Sequence, residues 1–234
     1  MAGKLFIVGI GPGAPDLLTV RAAELIRETK QIFVPISKKG RESIARGIAQ
    51  QYISEDAQVH ELLFPMLQNQ EAIDQHYQSN FETIAAVLRE GSDAALLTLG
   101  DPATYSTSWP LSSLMREHAP EIEIENIPGI TSYCHAAARA GMTLVEGNEA
   151  LAVVSSYGSQ QHLQTIINVS DTVVFLKTYK KRRIIVSLLE RMGMLDQCVY
   201  ISRCGLEGEE IIPDLKRIPD EVDYLSMIIL RKQQ

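Results

Sequence analysis

Short apolar runs alternate along this chain with stretches whose apolar residues recur at helical spacing. That alternation constrains the fold more than any other feature of the sequence. Residues 5–10, 31–35, 57–64, 94–99 and 122–126 read as strands. Between them, residues 17–28, 42–52, 71–89 and 109–118 read as helices. In the stretch 71–89, Ile73, Tyr77, Phe81, Ile84 and Leu88 share one face, and Gly91 supplies the stop. Residues 94–99 form an almost unbroken apolar run, which fits a central parallel strand covered on both faces. The second half repeats the rhythm, with helices at 130–140, 160–167 and 180–192 and strands at 151–155, 172–176, 199–203, 210–213 and 224–230.

Strands interleaved with helices predict an α/β class with mostly parallel or mixed sheets. About ten strands are many for one sheet in 234 residues. Two α/β domains are therefore expected, joined near Ala119–Pro120 or near Pro128–Gly129. The division is drawn at 1–119 and 120–234.

Composition excludes several classes. Hydrophobic residues make up 45% and charged residues 22%, enough apolar content to offset ordering entropy. Lys and Arg total 22 against 29 Asp and Glu, a net charge of −7, the wrong balance for a nucleic-acid binder. No apolar run reaches the roughly 18 residues of a transmembrane helix. The N-terminus lacks a signal-peptide pattern, because a Gly/Pro loop cuts off its apolar run. Cys134, Cys198 and Cys204 are odd in number and form no CxxC, which argues against a disulfide framework or a structural zinc site. A cytoplasmic protein with reduced thiols, and neither nucleic acid nor membrane as partner, is the expectation.

Three loops carry the chemistry. Gly9-Ile10-Gly11-Pro12-Gly13 follows the first strand and precedes a helix, so its backbone can turn tightly and approach a ligand. It lacks the Lys-Ser/Thr of a phosphate-binding loop. It also lacks the GxGxxG of a dinucleotide fold, since position 14 is Ala. The second strand ends in Val34-Pro35-Ile36-Ser37 with no carboxylate for a ribose, which counts against a nicotinamide-linked dehydrogenase. The second loop, Leu99-Gly100-Asp101-Pro102-Ala103-Thr104-Tyr105-Ser106-Thr107, sits at the carboxyl edge of the sheet, where open α/β sheets bind ligands. Asp101 is an acceptor for a ribose, a ligand amine or backbone donors, and the hydroxyls at 104–107 can cap the next helix. The third loop, Ile127-Pro128-Gly129-Ile130-Thr131-Ser132, opens a helix of small residues.

In this order the three loops resemble the tetrapyrrole methylase family, and the resemblance covers essentially the whole chain. It implies a two-domain α/β methyltransferase, usually a homodimer, that binds S-adenosylmethionine between its domains and releases S-adenosylhomocysteine. Phe64-Pro65-Met66, Gly-Asp-Pro-x-x-Tyr-Ser-Thr and the terminal Asp-Tyr-Leu-Ser-Met-Ile-Ile-Leu-Arg-Lys are similar to the C-20 methyltransferases of cobalamin synthesis. Those act on precorrin-2 or cobalt-factor II. Methylation of C-11 or C-17, and a non-catalytic binding protein on the same scaffold, are the alternatives. The first loop departs from the family by carrying Ala14 where an acid is common.

By motif matching, the resemblance assigns Pro12, Leu99, Gly100, Asp101, Thr104, Thr131 and Ser132 to the cofactor. Lys177, Cys204, Ser226 and Met227 follow by pattern in the second half, and Tyr105 is placed to stack on the adenine or the ring. Methyl transfer from a sulfonium needs positioning and desolvation rather than a catalytic dyad, and the sequence shows no dyad. The substrate's carboxylates call for cations. Lys38, Lys39 and Arg41 after the second strand, and Lys181 and Arg182 at a helix start, are the candidates, with Gly11, Pro65 and Met66 beside the ring. His60, His76, His118, His135 and His162 show no metal-ligand spacing, so no protein-bound metal is expected. His135, beside the third loop, is the one to watch.

Overall fold

In a computed structural model of the chain, described for residues 1–67, 69–156 and 158–232, two compact units follow one another. They comprise Met1–Thr131 and Ser132–Gln234.

The first unit holds one parallel sheet. Its strands are β1 (Leu5–Gly9), β2 (Gln31–Ile36), β3 (Gln58–Leu63), β4 (Ala94–Thr98) and β5 (Ile124–Ile127), in the order β3-β2-β4-β1-β5. As the unbroken apolar run predicts, β4 is central and fully buried. Four helices connect the strands: α1 (Val20–Glu28), α2 (Ile44–Ala49), α3 (Gln70–Arg89) and α4 (Ser108–His118). Phe81, Ile84 and Leu88 of α3, with Leu111 and Met115 of α4, pack in one cluster with Leu5, Ile7, Phe33 and Leu96. Right-handed crossovers put α1 and α2 on the opposite face. The neighbours β1 and β4 therefore lead out to opposite faces, and the crevice between their carboxyl ends is a topological switch point.

The chain divides after Thr131 rather than at Ala119–Pro120. The reason is pairing: β5 lies parallel to β1, with Leu5 opposite Ile124 and Val8 opposite Ile127. Residues 120–131 thus belong to the first unit. The helix expected over 17–28 starts later, because Pro15–Leu17 forms a separate 3-10 turn and Thr19 Oγ1 caps α1 by accepting the Ala22 N–H at 3.2 Å.

The second unit begins with α5 (Ser132–Arg139) and builds a mixed sheet. Its strands are β6 (Leu151–Ser155), β7 (Thr172–Leu176), β8 (Cys198–Ser202), β9 (Glu210–Ile212) and β10 (Ser226–Arg231), in the order β6-β7-β10-β8-β9. The β6–β7 pair is parallel, whereas β10 runs antiparallel to both β7 and β8. One face is covered by α6 (Gln160–Val169) and α7 (Arg182–Arg191), through Leu163, Ile167, Ile185 and Leu188. The other face carries α5, through Ala136 and Ala137 packed on Val174, Ile201 and Met227.

Candidate functional site

The three sequence-defined loops meet at the carboxyl edge of the first sheet. Gly11 and Gly100 form an isolated backbone bridge: Gly100 N–H donates to Gly11 O at 2.7 Å, and Gly11 N–H donates to Gly100 O at 3.2 Å. The third loop is pressed onto the same spot. A Cβ built on Gly129 would stand 2.2 Å from Gly100 O, and one on Gly9 would stand 2.7 Å from Gly100 O and from Gly129 N. Side chains at these two positions would push the loops apart. Asp101 completes the joint. Its Oδ2 accepts the Gly129 N–H at 3.0 Å and its Oδ1 accepts the Ala103 N–H at 2.9 Å.

The N-cap of α4, Thr107, makes no side-chain cap, but Ser106 just before it serves the first helical N–H. Its Oγ accepts the Ser108 N–H at 3.1 Å and shares a hydrogen bond with Thr98 Oγ1 at 2.8 Å. Tyr105 stands 47% exposed beside it and holds a left-handed φ of 51°, uncommon for a bulky residue. Thr131 Oγ1 is enclosed without a hydrogen-bond partner among the described residues. Pro12 and Thr104 are half-buried on the same loops, and Leu99 is half-buried at the end of β4. Three loops locked together through their backbone at the carboxyl edge, with an enclosed hydroxyl close by in sequence, are compatible with a polar, nucleoside-bearing cofactor at this edge.

The candidates for the acidic substrate in this unit lie along the same sheet edge. Lys38, Lys39 and Arg41 are exposed in the loop after β2, and half-buried Pro65 and exposed Met66 follow β3. Since β2 and β3 are neighbours, those two loops occupy one end of the edge and the glycine joint the other. Gly11, at a φ of 77°, is buried within the joint itself.

The second unit treats its candidates differently. Lys177 leaves β7 with a left-handed φ of 57°, and burial alone holds its ammonium pKa below the usual lysine range. Ser226 and Met227 are buried in β10, and Ser226 Oγ is hydrogen-bonded to Thr178 Oγ1 at 2.9 Å. Ser132 is half-buried at the start of α5. Cys204 is buried beside His135 and Glu209, and burial pushes its thiol up to about 12.

Arg182 corrects the sequence reading. It is 8% exposed, and its guanidinium donates to the backbone oxygens of Ile218 and Pro219 and to Asp220. A group so engaged is not available to a substrate carboxylate. The helix predicted over 180–192 starts at Arg182 because Thr178–Lys180 forms its own 3-10 turn. Lys181, half-buried, directs Nζ to Gly158 O at 3.4 Å.

Sequence comparison places this architecture. The model of the Tetrapyrrole (Corrin/Porphyrin) Methylases matches residues 4–218. The chain belongs to the tetrapyrrole methylase family. This methylase is 32% identical over 235 residues to the cobalt-precorrin-2 C(20)-methyltransferase of Salmonella typhimurium, covering 100% of this chain and 98% of the relative. It is 34% identical over 237 residues to a probable cobalt-precorrin-2 C(20)-methyltransferase of Methanocaldococcus jannaschii, covering 98% and 96%. Among solved structures, it matches uroporphyrin-III C-methyl transferase from Thermus thermophilus complexed with S-adenyl homocysteine. The TM-score there is 0.68 at 21% identity, with 98% of each chain covered, a likeness of fold. No helix among the described residues is long and apolar enough to cross a membrane.

Proposed function

We propose that this chain transfers a methyl group from S-adenosylmethionine to C-20 of precorrin-2 or cobalt-factor II in cobalamin biosynthesis. The observation that carries the reading is end-to-end similarity to two C(20)-methyltransferases. The joint of Gly9, Gly100 and Gly129 agrees with it by holding the three loops together at a switch point of the sheet.

The cofactor supplies an electrophilic methyl group on a sulfonium. The chain's work is to position and desolvate. Backbone at Pro12, Leu99 and Gly100 is offered to the cofactor and that of Gly11 to the tetrapyrrole, and Asp101 fixes the loops on either side. Thr104, Tyr105 and Thr131 offer hydroxyls and a ring face to the cofactor, and Ser132 and Lys177 are assigned to it from the second unit. The resemblance assigns Cys204, Ser226 and Met227 of the second unit to the cofactor as well. Lys38, Lys39 and Arg41, with Lys181, offer cations to the carboxylates of the tetrapyrrole. Pro65 and Met66 offer apolar contact to its ring. Any cobalt arrives inside the substrate. On this reading the protein works in the cytoplasm as a homodimer.

The test is anaerobic incubation with S-adenosylmethionine and precorrin-2, with and without cobalt in the ring. Product mass and the position of the new methyl group are read. One addition at C-20 supports the reading, and the preferred ring settles the metal requirement. Addition at C-11 or C-17 moves the chain to another step. No addition, with S-adenosylhomocysteine still bound by calorimetry, removes the acceptor.

A further inference from the structure

The second unit gathers three metal-ligating side chains that lie far apart in sequence. His135 sits mid-way along α5, Cys204 lies in the turn leaving β8, and Glu209 directly precedes β9. One ligand atom from each lies within 4.8 Å of the others.

Local structure explains why they meet. Arg203 leaves β8 with a left-handed φ of 49°, and Gly205 and Gly208 follow at 76° and 78°. These turns fold the segment 203–209 back on itself, so that Gly205 N–H donates to Glu209 Oε2 at 2.7 Å. Across this turn lies α5, whose Ala136 and Ala137 share a core cluster with Cys204. Arg139, one helical turn beyond His135, holds Glu209 Oε1 at 2.6 Å from Nη2. Helix, turn and strand end each fix one side chain, and the outer partners are already in place.

We propose that His135, Cys204 and Glu209 bind one divalent transition-metal ion of the zinc class. The donor set selects it: thiolate and imidazole suit zinc, whereas calcium and magnesium take oxygen ligands. Tetrahedral zinc with one S, one N and one O ligand sets those atoms roughly 3.3–3.6 Å apart. Side-chain rotations that draw the three inward by about an ångström complete the site. On binding, the Cys204 thiol releases its proton to solvent and its sulfur bonds the metal. One imidazole nitrogen of His135 and one carboxylate oxygen of Glu209 supply the other pairs, with no change of oxidation state. A carboxylate has about four lone-pair sites, so Arg139 and Gly205 keep their hydrogen bonds to Glu209. Three protein ligands leave a fourth position for water. The expectation of no protein-bound metal came from sequence spacing, which does not register ligands drawn from a helix and a distant turn.

The test is titration of the chelator-treated, reduced protein with Co2+ in the absence of any tetrapyrrole. One equivalent should produce visible ligand-field bands and a sulfur-to-cobalt charge-transfer band, both displaced by one equivalent of Zn2+. Cys204→Ser should abolish the charge-transfer band. His135→Gln should weaken binding by more than the roughly 10- to 100-fold that losing an outer partner costs. Cys134→Ser should leave the spectrum unchanged; Cys134 is exposed and next to His135 in the chain, the obvious rival ligand. Circular dichroism checks the fold of each variant. A wild-type protein with no saturable band, a band surviving in Cys204→Ser, or a band lost in Cys134→Ser overturns the site. None of these readouts depends on the methylation reaction.

Discussion

Asp101 latches onto Gly129: its Oδ2 accepts the Gly129 N–H at 3.0 Å, across two loops, while Oδ1 holds the N–H of Ala103 at 2.9 Å. Both oxygens serve the backbone, so the residue shapes the candidate cofactor site by holding it together. Asp101→Ala leaves two amide donors without their acceptor and should cost about 1–3 kcal/mol of stability. S-Adenosylhomocysteine affinity should fall with it. Asp101→Asn keeps an acceptor and should lose less of both. Thermal unfolding and calorimetry on the two variants check this; equal losses would remove the latch.

The close approach of Gly9 and Gly129 to Gly100 predicts a sharp contrast between glycines. Gly9→Ala puts a Cβ 2.7 Å from a carbonyl oxygen and an amide nitrogen in a fixed joint. Overpacking of that kind costs about 1–3 kcal/mol. Gly47, inside α2, has nothing within 4 Å of a built Cβ. Gly47→Ala should instead raise stability by about 0.4–1 kcal/mol, by restricting the unfolded chain. Urea midpoints of opposite shift are the expected result, and a shift of the same sign in both would refute the packing argument.

What could be read from the sequence follows the range of the interactions. The central strand of the first unit was legible because a parallel strand buried on both faces is written as a continuous apolar run, as in residues 94–98. The three loops were legible because glycine marks tight turns and strand order sends their ends to one edge. The direction of β10 was not legible. A central strand such as residues 226–231 has the same apolar pattern in a parallel or an antiparallel setting, and direction comes from the connection before it. The extent of the first unit depended on β5 returning to pair with β1, a contact that no local pattern records. The His135, Cys204 and Glu209 cluster was hidden for the same reason, although His135 drew notice by its place beside the third loop.

Arg182 shows how a charge run misleads. Four consecutive cations at 180–183 read as a solvated or substrate-binding patch, yet Arg182, the first residue of α7, differs from Arg183 in burial. Arg183 is 81% exposed at its side chain, against 9% for Arg182. Arg182→Gln removes charged hydrogen bonds to the backbone of residues 218 and 219 and should destabilise the protein by roughly 1.5–3 kcal/mol. Replacing Lys38, Lys39 and Arg41 together with Gln should leave stability within about 0.5 kcal/mol, because exposed surface changes rarely do more. That triple variant should raise KM for the tetrapyrrole and weaken its dependence on salt. If the triple variant unfolds early while Arg182→Gln melts normally, the two clusters have been assigned the wrong way round.

Cys198 gives the stability an alkaline limit. Its thiol is buried at the start of β8 and donates to Met194 O at 3.1 Å. Burial first, and the charge of Asp196 second, push it up to about 12. In the unfolded chain the same thiol ionises at about 8.5. Between those values the unfolded state binds fewer protons than the native one, so stability falls as pH rises. The contribution is complete below about pH 8.5 and is lost at about 1.4 kcal/mol per pH unit on the way to the native value. Cys198→Ala removes this linkage while leaving every other titrating group in place. The stability difference between wild type and Cys198→Ala should therefore shrink steadily from about pH 9 to about pH 10.5, measured by urea unfolding at each pH. A difference that stays constant over that range would mean that the native thiol ionises as readily as the unfolded one, and that β8 does not seal it from water.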